Sequence, residues 1–439
     1  QMMSIAIRSG SNGIHRKISN AVKRMINFKR GHPHPSLLPH AELTSTLLDL
    51  CHTSDTDSEA PSTVCLPGLD YGDPGGNAAT RAVLAAFLSE AMRDDDSSLC
   101  SGQVSMPISP DRLFLTTGVS HGLDLLCSVL TQPGDVVWIE RPTYYLAADI
   151  FRHHRLRLHP LPMHAGGRGI DVHRLVNDTN RPPPTLLYLI PSHHNPLGYV
   201  LDAEDRAKIA RWAGERGVIL VADEVYHLLD GDGEGTRPAR MAAFDPNCCV
   251  SVSGLTKVCA PGIRTGWIEG SPCIMESLQA YGYLCSQGGC APFGNAIVEH
   301  ALQRGAIQRH WQHLRGAYRR RARLLHTALR PLETMADFSL PLGGYFMWVR
   351  FRHPAVQDTE QLRIWCEQKY DVTFLPGIDC DPFSKEQDKY ELSVGCEIRS
   401  SFRLCFAYLD EEDITKGAQR LVAAVANFIK KEEKNDVNS

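Results

Sequence analysis

Short apolar runs alternate with longer amphipathic stretches through the middle of the chain. Residues 136–139, 186–190, 218–222 and 250–252 carry almost no polar side chain. A strand without a polar side must be covered on both faces, so these runs predict a parallel sheet flanked by helices. Between them Ala203–Arg216 places its apolar residues at helical spacing. The alternation gives an α/β class, with a large, mostly parallel sheet. An Arg-rich helix is expected over 308–329, its charges at 319–323 forming a solvated face. Amphipathic helices are expected near 14–25 and 414–428. The Gly- and charge-rich segment 230–240 reads as a surface loop, and 430–439 as a polar tail. In sheets of this kind ligands sit beyond the carboxyl ends of the strands, which directs attention to the residues just after each run.

Composition narrows the classes. The 439 residues are 43% apolar and 22% charged, ample for a large core. Basic and acidic residues nearly balance (46 against 50), so no global field draws the protein to nucleic acid or anionic lipid. No apolar run approaches the ~20 residues of a membrane-spanning helix. The 14 cysteines are scattered without Cys-x-x-Cys pairs, which suits reduced thiols in a reducing compartment rather than a disulfide framework or a zinc site. We therefore expect a cytoplasmic protein. The start of the chain qualifies this, because seven basic residues precede the first acid, Glu42, a bias also found in mitochondrial targeting segments. His32, His34 and His40 are separated by prolines that suit an extended segment better than a metal site.

Four strand ends carry candidate chemistry. Thr116-Thr117-Gly118-Val119-Ser120 leads into an apolar helical stretch, a turn that offers free N–H groups and a positive dipole end to an anion. Pro191-Ser192-His193-His194-Asn195-Pro196 follows the second run. Asp223-Glu224-Val225-Tyr226 follows the third, and a carboxylate at a buried strand end needs a cationic or proton-bearing partner. Ser253-Gly254-Leu255-Thr256-Lys257 follows the fourth, with Arg264 seven residues on; a buried lysine held neutral is a nucleophile.

The order Gly turn, Asn195, Asp223 with Tyr226, then Lys257 and Arg264, resembles the class I/II aminotransferases, fold-type I pyridoxal-phosphate enzymes, closest in pattern to the kynurenine and 2-aminoadipate subgroup. Asn195 and Asp223 lie 28 positions apart, Asp223 and Lys257 34. The likeness extends over Gly31-His32-Pro33, Tyr71-Gly72-Asp73-Pro74-Gly75-Gly76, Pro142-Thr143-Tyr144, Gly343-Gly344, Pro376-Gly377 and Phe402-Arg403-Leu404.

The resemblance implies a large cofactor domain over 59–305 and a smaller α+β domain from 1–58 and 306–439. It implies pyridoxal 5'-phosphate joined to Lys257, with Asp223 on the ring nitrogen, Asn195 and Tyr226 on the ring oxygen and Tyr144 stacked on the ring. Val119, Ser120, Thr256 and Arg264 would hold the phosphate, with Tyr71 reaching it from a second subunit of a homodimer. Arg403 would grip the substrate carboxylate, with Gly31 and His194 beside it. The implied reaction moves an amino group between an α-amino acid and a 2-oxo acid by a ping-pong route. The same residues also serve elimination, replacement, cyclising or oxidising enzymes on this scaffold. A ligand-sensing transcription regulator would need a DNA-binding domain ahead of the enzyme-like part, and the likeness already begins near Ile26. One departure stands out: the position three before Lys257, often serine in the family, is Gly254.

Overall fold

The computed structural model describes residues 24–52, 66–92, 108–230, 238–385 and 392–437. Most of the helix expected over 14–25 and of the loop expected over 230–240 therefore lies outside the described residues.

Thirteen strands are described: β1 (Ile26–Asn27), β2 (Leu113–Thr116), β3 (Val136–Ile139), β4 (Arg157–Pro160), β5 (Leu186–Leu189), β6 (Ile219–Asp223), β7 (Cys249–Gly254), β8 (Gly266–Glu269), β9 (Ala336–Asp337), β10 (Phe346–Phe351), β11 (Val372–Thr373), β12 (Leu375–Pro376) and β13 (Ser401–Cys405). Seven form one sheet in the order β2-β8-β7-β6-β5-β3-β4. Its pairs are parallel except at β8, which runs against both neighbours.

The apolar runs do cover two faces. On β5, Leu186 and Tyr188 join a core with Leu123 and Phe151, from the helices Val119–Leu130 and Tyr145–His153. Leu187 and Leu189 point the other way, into a core with Ile209 and Trp212 of the helix Ala203–Arg216. Each such side chain contributes roughly 1.5–3 kcal/mol by leaving water, which is why no polar residue interrupts the strand. Asp202 caps that helix and Gly217 ends it in the left-handed conformation.

A second, antiparallel sheet has the order β12-β13-β10-β9. Beside it β1 pairs with β11, so Ile26 of the N-terminal arm lies opposite Val372. The long helices Ala306–Leu329 and Glu411–Val437 pack against each other on this part of the chain. The charge cluster at 319–323 is not uniformly solvated, as the sequence suggested. Arg320 and Arg323 are exposed, but Arg321 is buried and donates to the carbonyl of Ala407 at 2.8 Å. No described helix is long and apolar enough to cross a membrane.

Candidate active site

A cavity of about 450 Å³ opens where β5, β6 and β7 end, closed over by residues from β10, β13 and the N-terminal arm. Its wall includes Gly31, Val119, Ser120, Tyr144, Asn195, Asp223, Tyr226, Thr256, Lys257, Arg264 and Arg403. These are all the residues nominated from sequence except Tyr71 and His194.

One end of the cavity is built for an anion. Gly118 takes φ +95° and starts the helix Val119–Leu130 with no side-chain cap, which leaves the first N–H groups for a ligand. Arg264 lies against this turn, donating to the carbonyl of Thr117. Its own backbone is left-handed at φ +52°, a conformation costing a non-glycine residue roughly 1–2 kcal/mol and typical of functional sites. The close approach depends on glycine. A Cβ on Gly118 would lie 2.5 Å from the Arg264 guanidinium, and one on Gly266 would lie 2.8 Å from the Gly118 backbone. Gly254 is hemmed in more mildly: a Cβ there would lie 3.0 Å from the Thr265 carbonyl oxygen, so the family's serine would need the neighbouring backbone to give by a few tenths of an ångström. Ser253 does not replace it, since its hydroxyl donates to the Glu224 carbonyl at 3.1 Å. Thr256 is the hydroxyl of this turn that reaches the cavity.

Two titratable groups define the centre. Lys257 donates from Nζ to the carbonyl of Gly31 at 2.8 Å, with the Tyr345 and Tyr226 rings 5.1 and 5.8 Å from it. Burial disfavours its charged form and lowers its pKa to about 8. Asp223 is buried at the end of β6. It accepts from the Tyr188 hydroxyl at 2.9 Å and the Val225 N–H at 3.3 Å, yet burial still raises it to about 6. No described cationic side chain pairs with it. Burial also pushes the Tyr144 hydroxyl up to about 12, so that ring presents a neutral face to the cavity.

The third feature is Arg403 on β13, only 6% exposed. It donates to Asn195 Oδ1 and to the Lys29 carbonyl, each at 2.8 Å, and lies 4.0 Å over the Phe346 ring. Its Nε has no partner. A buried, unpaired guanidinium N–H is costly, and a carboxylate is the group whose geometry would satisfy it.

Both exceptions have clear causes. Tyr71 is 81% exposed and is not part of the cavity wall of this chain. His194 is fully buried behind the wall, 3.1 Å from Glu140, and does not face the cavity, so the substrate contact expected of it is not seen within this chain. Its neighbour His193 is also buried and pairs with Asp230 at 2.8 Å. Sequence reading missed the arm carbonyl of Lys29, which holds Arg403, and, although it nominated Gly31 for the substrate site, missed that the Gly31 carbonyl holds Lys257. Backbone acceptors carry no residue-type signal. It also missed Phe346 as the platform under Arg403, although Gly343-Gly344 just ahead of it pointed to that strand.

Residues 67–421 match the family described as aminotransferase class I and II. The chain belongs to this family. Among its relatives, aromatic-amino-acid aminotransferase 1 of Thermococcus litoralis is 26% identical over 83% of this chain and 81% of its own length. The 2-aminoadipate transaminase of Thermus thermophilus is 27% identical over 92% and 91%. The solved structure of LysN, the α-aminoadipate aminotransferase of Thermus thermophilus, superposes with a TM-score of 0.74 at 24% identity. The match covers 93% of this chain and 94% of that one, and that structure holds N-(5'-phosphopyridoxyl)-L-leucine. For this family member, then, the seven-stranded sheet and the smaller antiparallel sheet make the fold-type I architecture.

Proposed function

We propose that this chain is a pyridoxal-phosphate-dependent aminotransferase exchanging an amino group between an α-amino acid and a 2-oxo acid. The observation that carries the reading is one cavity holding a lysine amine near pKa 8, a buried carboxylate without a cation, and an arginine with an unpaired Nε. The donor set fits the cofactor: an uncapped helix N-terminus beside Arg264 suits its phosphate, Asp223 its ring N–H and Lys257 its aldehyde. When bound, the cofactor supplies an aldehyde that exchanges nitrogen with the substrate and a ring that accepts the electrons released at Cα.

The chain's own residues do the rest. Arg403 binds the substrate carboxylate through Nε and one terminal nitrogen, which fixes the direction of the Cα–H bond. Lys257 Nζ, about half unprotonated near pH 8, takes that proton and returns it. Asp223 would keep the ring nitrogen protonated, Asn195 and Tyr226 would hydrogen-bond the ring oxygen, and Tyr144 would cover the ring face. The exposed Tyr71 suits a homodimer in which it reaches the phosphate of the other subunit. On this reading residues 59–305 form the cofactor domain and 1–58 with 306–439 the smaller one. The relatives named above favour aromatic or 2-aminoadipate-like donors.

The test is a half-reaction. Adding a single amino acid to the loaded protein is expected to remove its visible absorbance, and adding a 2-oxo acid to restore it. Release of ammonia or thiol without restoration would place the chain among the elimination enzymes instead. In the same assay Arg403→Ala is expected to keep the cofactor but lose on the order of 2–5 kcal/mol of transition-state binding, read as kcat/KM. A variant that loses only the cofactor would show that Arg403 serves another group.

A further inference from the structure

Asn195 stands at the tip of a turn, residues 190–201, between β5 and the helix Ala203–Arg216. Two fully buried charges hold this turn. Arg206 donates to the carbonyls of Leu201 and Pro191, each at 2.8 Å, and to Ser192 Oγ at 2.9 Å. Glu140, just past β3, accepts from the Ile190 N–H at 2.8 Å and from the Tyr199 hydroxyl. Its Oε2 also lies 3.1 Å from His194 Nε2, with that N–H off the line of contact.

The tautomer of His194 follows from its other nitrogen. Nδ1 accepts from the Leu197 N–H at 3.2 Å, and a backbone N–H can only donate, so the ring proton is on Nε2, the nitrogen beside the carboxylate. The ring stacks on Tyr199 with centroids 4.9 Å apart. Backbone bonds close the unit: His194 N–H to the Tyr199 carbonyl at 2.9 Å, and Gly198 N–H to the His194 carbonyl at 2.7 Å. Residues 194–199 thus form one body, and Asn195 Oδ1 leaves it to meet Arg403.

A carboxylate buried at 140 carries several kcal/mol of desolvation, offset in part by the Ile190 N–H and the Tyr199 hydroxyl that it satisfies. What a carboxylate adds is direction, because it holds donors on both sides of Asn195 in one orientation. We infer that Glu140 and His194 are positioning residues for Asn195, and through it for Arg403. The inference rests on the aminotransferase reading for what Asn195 and Arg403 then do, but not for the clamp itself.

Two variants keep volume and remove one clamp contact each. Glu140→Gln turns an acceptor into a donor facing other donors. His194→Phe keeps the stack on Tyr199 and loses the Nδ1 acceptor. In cofactor-free protein, exchange of the Leu197 and Gly198 amides is expected to speed up by about 10-fold or more in either variant. Unchanged exchange in both would overturn the clamp. In loaded protein each variant is expected to lower kcat/KM about 10-fold, but less than about 2-fold when Asn195 is already alanine. Losses that simply add on the Asn195→Ala background would show that neither residue acts through Asn195, and would sink the positioning role. The amide exchange is read without cofactor. If wild-type protein converted no amino acid at all, the aminotransferase reading would fall while the exchange result still decided the clamp.

Discussion

Lys257→Ala is expected to abolish both turnover and the visible absorbance that added pyridoxal phosphate gives the wild-type protein. Among the described residues the alanine leaves no other amine at the end of β7: of the remaining cationic side chains lining the cavity, Arg30, Arg264 and Arg403 are guanidiniums that do not deprotonate, and Lys29, on the N-terminal arm, lies 3.6 Å from Glu367. On the proposed roles, in which Lys257 both attaches the cofactor and moves the Cα proton, its loss should cost on the order of 10⁴-fold or more in kcat/KM. The pH behaviour of the wild type makes the assignment sharper. An ordinary lysine is about 0.3% unprotonated at pH 8, whereas a group with a pKa near 8 is about half unprotonated there. Burial causes the difference by penalising the cation. The rate at which cofactor-free protein takes up an aldehyde is therefore expected to rise with pH and level off just above 8. A rate still climbing towards pH 10.5 would mean that the amine is solvated and that another residue does the chemistry. Full activity in Lys257→Ala would end the proposal outright.

The parts of this protein that were legible in sequence share a cause. β5 and β6 are covered on both faces, so burial alone dictates their apolar runs, and Ala203–Arg216 carries its cap and its terminating glycine. Asn195, Asp223 and Lys257 sit at strand ends, where the α/β architecture places ligands whatever the chemistry. Where the fold depends on contacts remote in sequence, the pattern is silent. The two-residue pairing of Ile26 with Val372 spans most of the chain, and β8 runs against its neighbours with a glycine at its start. Arg321 looks like its exposed neighbours until the Ala407 carbonyl comes within 2.8 Å. His194 shows the same limit from the other direction. Its place beside Asn195 suggested substrate, but its side chain turns away from the cavity toward a carboxylate 54 positions earlier, Glu140. Neighbouring residues in a tight turn face opposite ways, and only the folded chain shows which one faces the site.

Asp223→Asn should move stability and activity in opposite directions. In the cofactor-free protein Asp223 is buried with two hydrogen-bond donors and no ion pair to a described side chain, and burial raises its pKa from 3.8 to about 6. A carboxyl whose folded pKa lies above its unfolded value binds protons more tightly in the native state. Its contribution to stability is therefore present at low pH and is lost as pH rises from about 4 through about 6. Above that window the buried charge costs roughly 3 kcal/mol. Asparagine keeps the shape, can still accept from Val225 and can donate to Tyr188, and it carries no charge. The variant is therefore expected to unfold at higher denaturant than wild type at pH 7–8, by up to roughly 3 kcal/mol. The gain should shrink towards zero below about pH 4. Turnover is expected to fall, because a neutral amide cannot hold the ring nitrogen protonated. Removing one partner of a buried charged pair costs about 3–5 kcal/mol, or on the order of 10² to 10⁴ in rate. A group that weakens the empty fold and is required by the loaded one exists for its ligand. An Asn variant that is less stable than wild type at pH 7–8 and fully active would show Asp223 to be a structural carboxylate, and the cofactor's place in this cavity would have to be drawn again.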